Sequence, residues 1–236
     1  MIRMLLQSGD TVQVILSFIA VLLAAVGAII LHENAHGLVA LWCGDDTAME
    51  AGRITLNPAK HFDIFGLLMF IVVGFGWARP VPVDPSNYKH EKLDGFLVAI
   101  AGVVTNLILA FISIGLLAGL LAILQGVQSV SQGLYYFLYF LEYFLLYGAI
   151  INLTLFAFNI LPLFPLDGFR VIEAFVPNSK YCVFMRRYGT FILLGLIILS
   201  TILGYVNSNF DVFSLYIRAV VNGILNPMLK VFGVVF

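Results

Sequence analysis

Charged side chains are scarce in this sequence. Of its 236 residues only 11% are Asp, Glu, Lys or Arg, whereas 61% are hydrophobic. Soluble domains carry about 25% charged residues, so the composition excludes an ordinary soluble protein. The formal net charge of −1 leaves no basic excess to neutralise many phosphates, which excludes nucleic acid as a partner. The composition predicts an integral membrane protein whose partners lie in the lipid bilayer.

Cysteine is also scarce. The two cysteines, Cys43 and Cys182, form no spacing pattern, so neither a disulfide framework nor a thiolate zinc site is indicated. We interpret both as small buried apolar residues.

Long apolar runs organise the chain. The run at 65–76 is too short to span a bilayer and is a candidate re-entrant element. We therefore expect an all-α integral membrane protein with about five to six transmembrane helices and a short re-entrant segment or β-hairpin after the first. One multi-pass domain is expected over 1–236, with C-terminal helices at about 181–236. The runs long enough to cross a core of about 30 Å are 12–43, 96–124, 134–161, 188–206 and 212–236.

Basic residues predict the orientation of these spans. The segments 44–95 and 168–187 hold nine of the 12 Lys and Arg residues, whereas 125–133 has no charge. Positive loops favour the cytosol. If 65–76 turns back, both basic segments lie on the cytosolic side and the N-terminus lies outside.

An ionisable cluster, HENAH at 32–36, interrupts the first apolar run. Residues four apart share a helix face, so His32 and His36 can present both imidazoles to one ion. Glu33, about 100° round the helix, can then reach a water on that ion. The alternative is two histidines hydrogen-bonded within a helix bundle and a glutamate facing a polar cavity. Because ionisable groups inside a span are costly, we favour a metal site.

A catalytic zinc generally takes three protein ligands. The longer motif His-Glu-x-x-His-x-x-Gly-x-x-His is excluded, because Val39 and Trp42 occupy the positions of its glycine and third histidine. Cys43 lies about 10 Å from His36 along the helix, which is too far to bind the same ion. Other candidates lie in loops predicted to be wet, where solvated polar residues are the ordinary expectation: Asp45, Asp46, Glu50, His61, Asp63 and His90. A better candidate is Asp167, where prolines and a glycine interrupt a helix and aim an acidic side chain sideways. Its alternative role is to cap the following helix. Taken with HENAH, the ligand role is favoured.

The two motifs together resemble those of the site-2 proteases, which are intramembrane zinc metalloproteases. HENAH and NILPLFPLDG (159–168) are similar to the family's two metal-site motifs. The stretches 44–58 and 74–84 are similar to the connecting segments of its compact bacterial members. The likeness covers about residues 28–173.

The resemblance implies a zinc metalloprotease that hydrolyses a peptide bond within or near the transmembrane segment of membrane-protein substrates, as in regulated intramembrane proteolysis. It implies one Zn²⁺ per chain bound by His32, His36 and Asp167, with Glu33 as general base. The metal-site core is expected at about 12–173. The expected location is a prokaryotic plasma membrane, with the active site near the cytosolic side.

The segment 74–84 is a candidate substrate contact, through Gly76 and Trp77. It suits an exposed β-hairpin edge, to which an unwound substrate adds as a strand. The alternative is an interfacial loop anchored by Trp77.

Two asparagines in the spans, Asn106 and Asn159, are further candidate substrate-binding residues. Each can hold a substrate backbone or an oxyanion, or brace one helix against another. Ahead of Asn106, Val103 stands where the family often has proline, a departure that bears on how Asn106 is aimed.

A competing class is a non-proteolytic membrane protein, either an inactive protease relative or a metal transporter. Transporters commonly show duplicated halves with broken helices at corresponding positions. The sequence has no such duplication, and a carrier does not need Glu33 as a ligand. These features favour the protease.

Overall fold

The computed structural model describes residues 10–62, 66, 78–125, 127, 129–206 and 211–234. These residues are helical or irregular and include no β-strand. A single antiparallel bridge pairs Phe62 with Ala78. The predicted re-entrant run 65–76 lies, apart from Gly66, outside the described residues, so the re-entrant hairpin is not confirmed.

Five of the described helices are long enough and apolar enough to cross a membrane: Thr11–Cys43, Glu91–Leu124, Gln132–Asn159, Lys180–Val206 and Val212–Val231. The chain is therefore a multi-pass membrane protein. The α-helices with both ends in the described residues are α1 (Thr11–Cys43), α2 (Thr47–Glu50), α3 (Pro58–His61), α4 (Glu91–Leu124), α5 (Gln132–Asn159), α6 (Asp167–Phe175), α7 (Lys180–Val206) and α8 (Val212–Val231).

Two of the long helices begin earlier than the apolar runs predict. Helix α4 begins at Glu91 rather than at 96, and its first turn contains the acidic residues Glu91 and Asp94. Acidic groups in a first turn are favourable because they face the positive end of the helix dipole. Helix α7 begins at Lys180 rather than at 188, so it includes part of the basic segment as well as the apolar run.

The centre of the molecule is formed by α1, α4 and α5, which pack against one another along their lengths. Helix α1 contributes small buried residues, among them Ala20, Ala24 and Ala28. Small side chains let helix backbones approach closely where no hydrophobic effect drives association. Helix α8 packs against α5 and α4, and their shared core contains Ile114, Leu153 and other aliphatic residues.

The connection between α1 and α4 starts and finishes at one end of the bundle. The backbone N–H of Lys89 donates to the carbonyl of Cys43 at 3.1 Å. The Lys89 ammonium also donates to the carbonyl of Trp42 at 3.2 Å. These bonds place the start of α4 beside the end of α1.

Candidate active site

Helix α1 brings two imidazoles together. His32 and His36 are one turn apart and both are buried. Their Nε2 atoms lie 3.2 Å apart, with the two rings nearly perpendicular. The predicted pairing of imidazoles on one helix face is present in the structure.

Asp167 completes a three-residue cluster. It is the first residue of α6, and its Oδ2 lies 3.2 Å from His32 Nε2 and 3.3 Å from His36 Nε2. The alternative role of Asp167 as a helix cap is not seen, since the N-cap residue is Leu166 and no side chain caps α6. The carboxylate of Asp167 points at the two histidines. Gly168 permits this turn, because a Cβ there would lie 2.2 Å from the carbonyl oxygen of Ile160.

The hydrogen bonds on the far side of each ring show that the cluster fits a cation. His36 Nδ1 lies 2.7 Å from the carbonyl oxygen of Val98, and His32 Nδ1 lies 2.6 Å from Oδ1 of Asn106. Both partners are acceptors, so each neutral ring carries its proton on Nδ1 and leaves Nε2 bare. Oδ2 of Asp167 is buried and has no hydrogen-bond donor. With both rings neutral, three lone pairs therefore point towards one position.

The spacing of these atoms also suits zinc. Ligands of a tetrahedral ion with bonds of about 2.0–2.1 Å stand roughly 3.3 Å from one another. The three atoms from His32, His36 and Asp167 stand 3.2–3.3 Å apart. Imidazole nitrogen and carboxylate oxygen are usual zinc ligands, and three protein ligands leave one position for water.

A glycine on α4 makes room for the paired rings. A Cβ at Gly102 would lie 2.4 Å from both His32 Cε1 and His36 Nε2. Real Cβ atoms do not approach heavy atoms this closely, so any larger residue would displace the imidazoles. Gly102 therefore allows α4 to lie directly against the histidine face of α1.

Glu33 is held by a backbone group from the connection between α1 and α4. Its Oε2 accepts a hydrogen bond of 2.9 Å from the N–H of Val81. Together with the three clustered residues, Glu33 lines a cavity of about 270 Å³ whose other walls are mainly apolar. The cavity therefore contains the whole predicted set of metal-binding and catalytic side chains.

The described part of segment 74–84 offers little to an incoming strand. The N–H groups of Arg79 and Val81 already bond to the protein, to the His61 carbonyl and to Glu33. Pro80 and Pro82 have no N–H to donate. A substrate strand laid against this segment would meet mostly carbonyl acceptors, which disfavours a full β-ladder here.

The four candidate substrate-binding residues have different positions. Asn159 lines the cavity, and its Nδ2 donates to the carbonyl of Leu155 at 3.1 Å. Asn106 is fully buried behind His32, away from the cavity lining. Gly76 and Trp77 lie outside the described residues.

A second cavity, of about 480 Å³, adjoins the first. Arg170 lines both cavities. The second also contains an ion pair between Arg186 and Glu173, with 2.9 Å between Nε and Oε1. Burial raises the pKa of Tyr88, on its wall, to about 12, so this phenol stays neutral at physiological pH.

Sequence reasoning missed several residues around the cluster. Gly102 and Asn152 carried a visible signal, since Gly102 stands one helical turn before Asn106 and Asn152 is another asparagine in a span. The Val98 carbonyl and the Val81 N–H carried none, because backbone groups leave no trace in side-chain patterns.

Comparisons with known proteins agree with this geometry. Residues 17–203 match the sequence profile of Peptidase family M50. The chain is 38% identical over 206 residues to a Bacillus subtilis (strain 168) protein named "Putative zinc metalloprotease YwhC", covering 87% of each chain. No solved structure matches the chain. The chain belongs to peptidase family M50, the site-2 protease family, and it is a zinc metalloprotease.

Proposed function

We propose that this protein hydrolyses a peptide bond within or beside the transmembrane segment of membrane-protein substrates. One zinc per chain would be held by His32, His36 and Asp167. The observation that carries the proposal is the convergence of three potential ligand atoms, 3.2–3.3 Å from one another, in a cavity that also contains Glu33.

The depth of the site supports a substrate within the membrane. About 16 Å of helix separate His32 from the end of α1 at Cys43. The cavity is therefore well inside the bundle of spanning helices, where a substrate from the bilayer meets it more readily than a soluble protein does.

The residues of the chain divide the chemistry between them. When bound, zinc lowers the pKa of a coordinated water to about 7 and polarises the scissile carbonyl. Glu33 accepts the proton of the attacking water and passes it to the leaving amine. Asn159, which lines the cavity, would hold the substrate backbone or the developing oxyanion.

Glu33→Gln tests this function. Glutamine keeps the shape and a hydrogen-bond acceptor for Val81 but cannot take up a proton. At equal zinc occupancy the variant should cleave a co-reconstituted membrane substrate about 10²–10⁴-fold more slowly than wild type. The control is Glu50→Gln, which changes an exposed glutamate on α2.

Two outcomes of that assay would contradict the proposal. Equal cleavage by wild type and Glu33→Gln would remove Glu33 from the chemistry. No cleavage by either protein, across a broad panel of single-span membrane substrates, would favour a carrier or an inactive relative.

We also propose that the site opens near the cytosolic face of a prokaryotic plasma membrane. Single cysteines at positions 50, 86 and 180 should label from the cytosol, and one at position 129 from outside. The background would be Cys43→Ala/Cys182→Ala, since both native cysteines are buried. Labelling of positions 50 and 86 from opposite faces would contradict this topology.

A further inference from the structure

A chain of buried hydrogen bonds runs from His32 across three helices. His32 Nδ1, on α1, lies 2.6 Å from Oδ1 of Asn106 on α4. Asn106 Nδ2 donates to Oδ1 of Asn152 on α5 at 2.7 Å. Asn152 Nδ2 donates to the carbonyl of Gly148 at 2.8 Å. Asn106 is 0% exposed and Asn152 is 4% exposed, so water does not compete for these bonds.

The far end of the chain determines the direction of every bond in it. A backbone carbonyl can only accept, so Asn152 must present its NH₂ to Gly148 and its oxygen to Asn106. Asn106 must then present its NH₂ to Asn152 and its oxygen to His32. The proton of the neutral His32 ring is thereby required on Nδ1, and the lone pair of Nε2 faces Asp167.

We propose that Asn106 and Asn152 are positioning residues for metal binding, and that they act through His32. A neutral imidazole without this partner would populate both tautomers, and a proton on Nε2 would block the ligand position. The hydrogen bond also prevents rotation of the ring. This inference rests on the proposed role of His32 as a ligand.

The other ligands do not share this support. His36 is oriented by the Val98 carbonyl, which no side-chain substitution removes. Asp167 is placed by the start of α6. His32 is the ligand whose tautomer depends on side chains, so the effect of altering Asn106 should pass through that ring alone.

The helix that carries Asn106 is continuous. Helix α4 runs from Glu91 to Leu124 without interruption and includes Val103, at the position where the resemblance would place proline. Asn106 nevertheless reaches His32. The departure at Val103 therefore leaves this hydrogen bond intact.

The test measures zinc affinity by competition with a chromophoric chelator, on full-length protein in detergent. Asn106→Ala should weaken zinc binding about 10–100-fold, the usual effect of losing a residue that supports a ligand. Asn152→Ala should weaken it less. The double variant should be no weaker than Asn106→Ala, because the two residues act in series. Independent additive losses would overturn the series arrangement.

Two further variants separate positioning from general damage. Asn106→Asp keeps an oxygen that accepts the His32 N–H, so it should bind zinc more tightly than Asn106→Ala. Asn34→Ala removes another buried asparagine, whose amide donates to the carbonyls of Ile30 and Thr55, and should keep the wild-type affinity. Equal losses in Asn34→Ala and Asn106→Ala would overturn the inference.

His32→Ala distinguishes this inference from the proposed function. Loss of zinc in His32→Ala, with wild-type affinity in Asn106→Ala, would overturn the positioning role alone. Wild-type affinity in His32→Ala would overturn the metal site on which the proposed function stands.

Discussion

Glu33 and Val81 are joined by a hydrogen bond of 2.9 Å between the glutamate Oε2 and the valine N–H. The connection between α1 and α4 therefore sets the direction of the proposed general base. The Asp84 N–H donates to Asp45 Oδ2 at 2.7 Å, which fastens the same segment three residues further on. Proton transfer by Glu33 thus depends on a stretch of backbone outside the spanning helices.

Replacing Val81 by proline should slow cleavage without releasing zinc. Proline removes the N–H that Glu33 accepts, and a hydrogen bond to a charged group is worth about 1.5–3 kcal/mol. We expect kcat/KM on a reconstituted membrane substrate to fall by at least about tenfold. Val83→Pro is the control, because the Val83 N–H has no hydrogen bond among the described residues. Equal rates in the two variants would show that this contact does not orient the base.

Asp45 should stabilise the connection in a pH-dependent way. Burial alone would raise the pKa of Asp45, but hydrogen bonds outweigh burial and hold the pKa below its ordinary value. Its stabilisation is therefore complete above the unfolded pKa of about 4 and is lost as the pH falls through the lower folded pKa. The bonds to its carboxylate come from the backbone and hydroxyl of Thr47, the backbone of Asp84 and the amide of Asn87.

Asp45→Ala should lower stability by about 1.5–3 kcal/mol at neutral pH. The measurement is thermal unfolding in detergent, at neutral pH and near pH 3. The difference between wild type and variant should shrink at the lower pH. Asp46→Ala is the matched control, since its side chain is exposed and does not cap α2. An equal shift in both variants would exclude the role assigned to Asp45.

Purified protein should contain about one zinc per chain, measured by elemental analysis. His32→Ala, His36→Ala and Asp167→Ala should each lose zinc and cleavage together, because two ligands hold the ion far more weakly than three. His61→Ala should retain zinc, since this buried histidine bonds to the Thr55 carbonyl and is not in the cluster. Full occupancy in Asp167→Ala would remove that residue from the site.

Gly102→Ala should abolish zinc binding by steric displacement. The added methyl would lie 2.4 Å from atoms of both imidazoles, so the rings must move apart. Gly119→Ala, on the same helix, meets nothing within 4 Å and should behave as wild type. Zinc content and cleavage are measured together, and a fully active Gly102→Ala would show that α4 yields without disturbing the histidines.

The membrane class, the spanning runs and the histidine pair could be predicted because their signals are local. Apolar length alone indicates a span, and a spacing of four residues alone places His32 and His36 on one face. Asp167 could also be predicted from the sequence, because burying a carboxylate beside prolines at the end of an apolar run costs free energy unless the group has a role. Helix starts were less accurate, as at Glu91 and Lys180, because charged turns extend α4 and α7 beyond their apolar runs.

The sequence by itself determined that polar chemistry is embedded in a membrane protein, and which side chains are capable of it. Only the tertiary structure decided how those side chains are aimed. Asn106 meets His32 across 74 residues of chain, and Val81 meets Glu33 across 48. Such contacts depend on how whole helices pack, and one of them uses a backbone N–H that every residue except proline possesses. No local pattern encodes either contact, because helix periodicity specifies a face but not the neighbour that the face will meet.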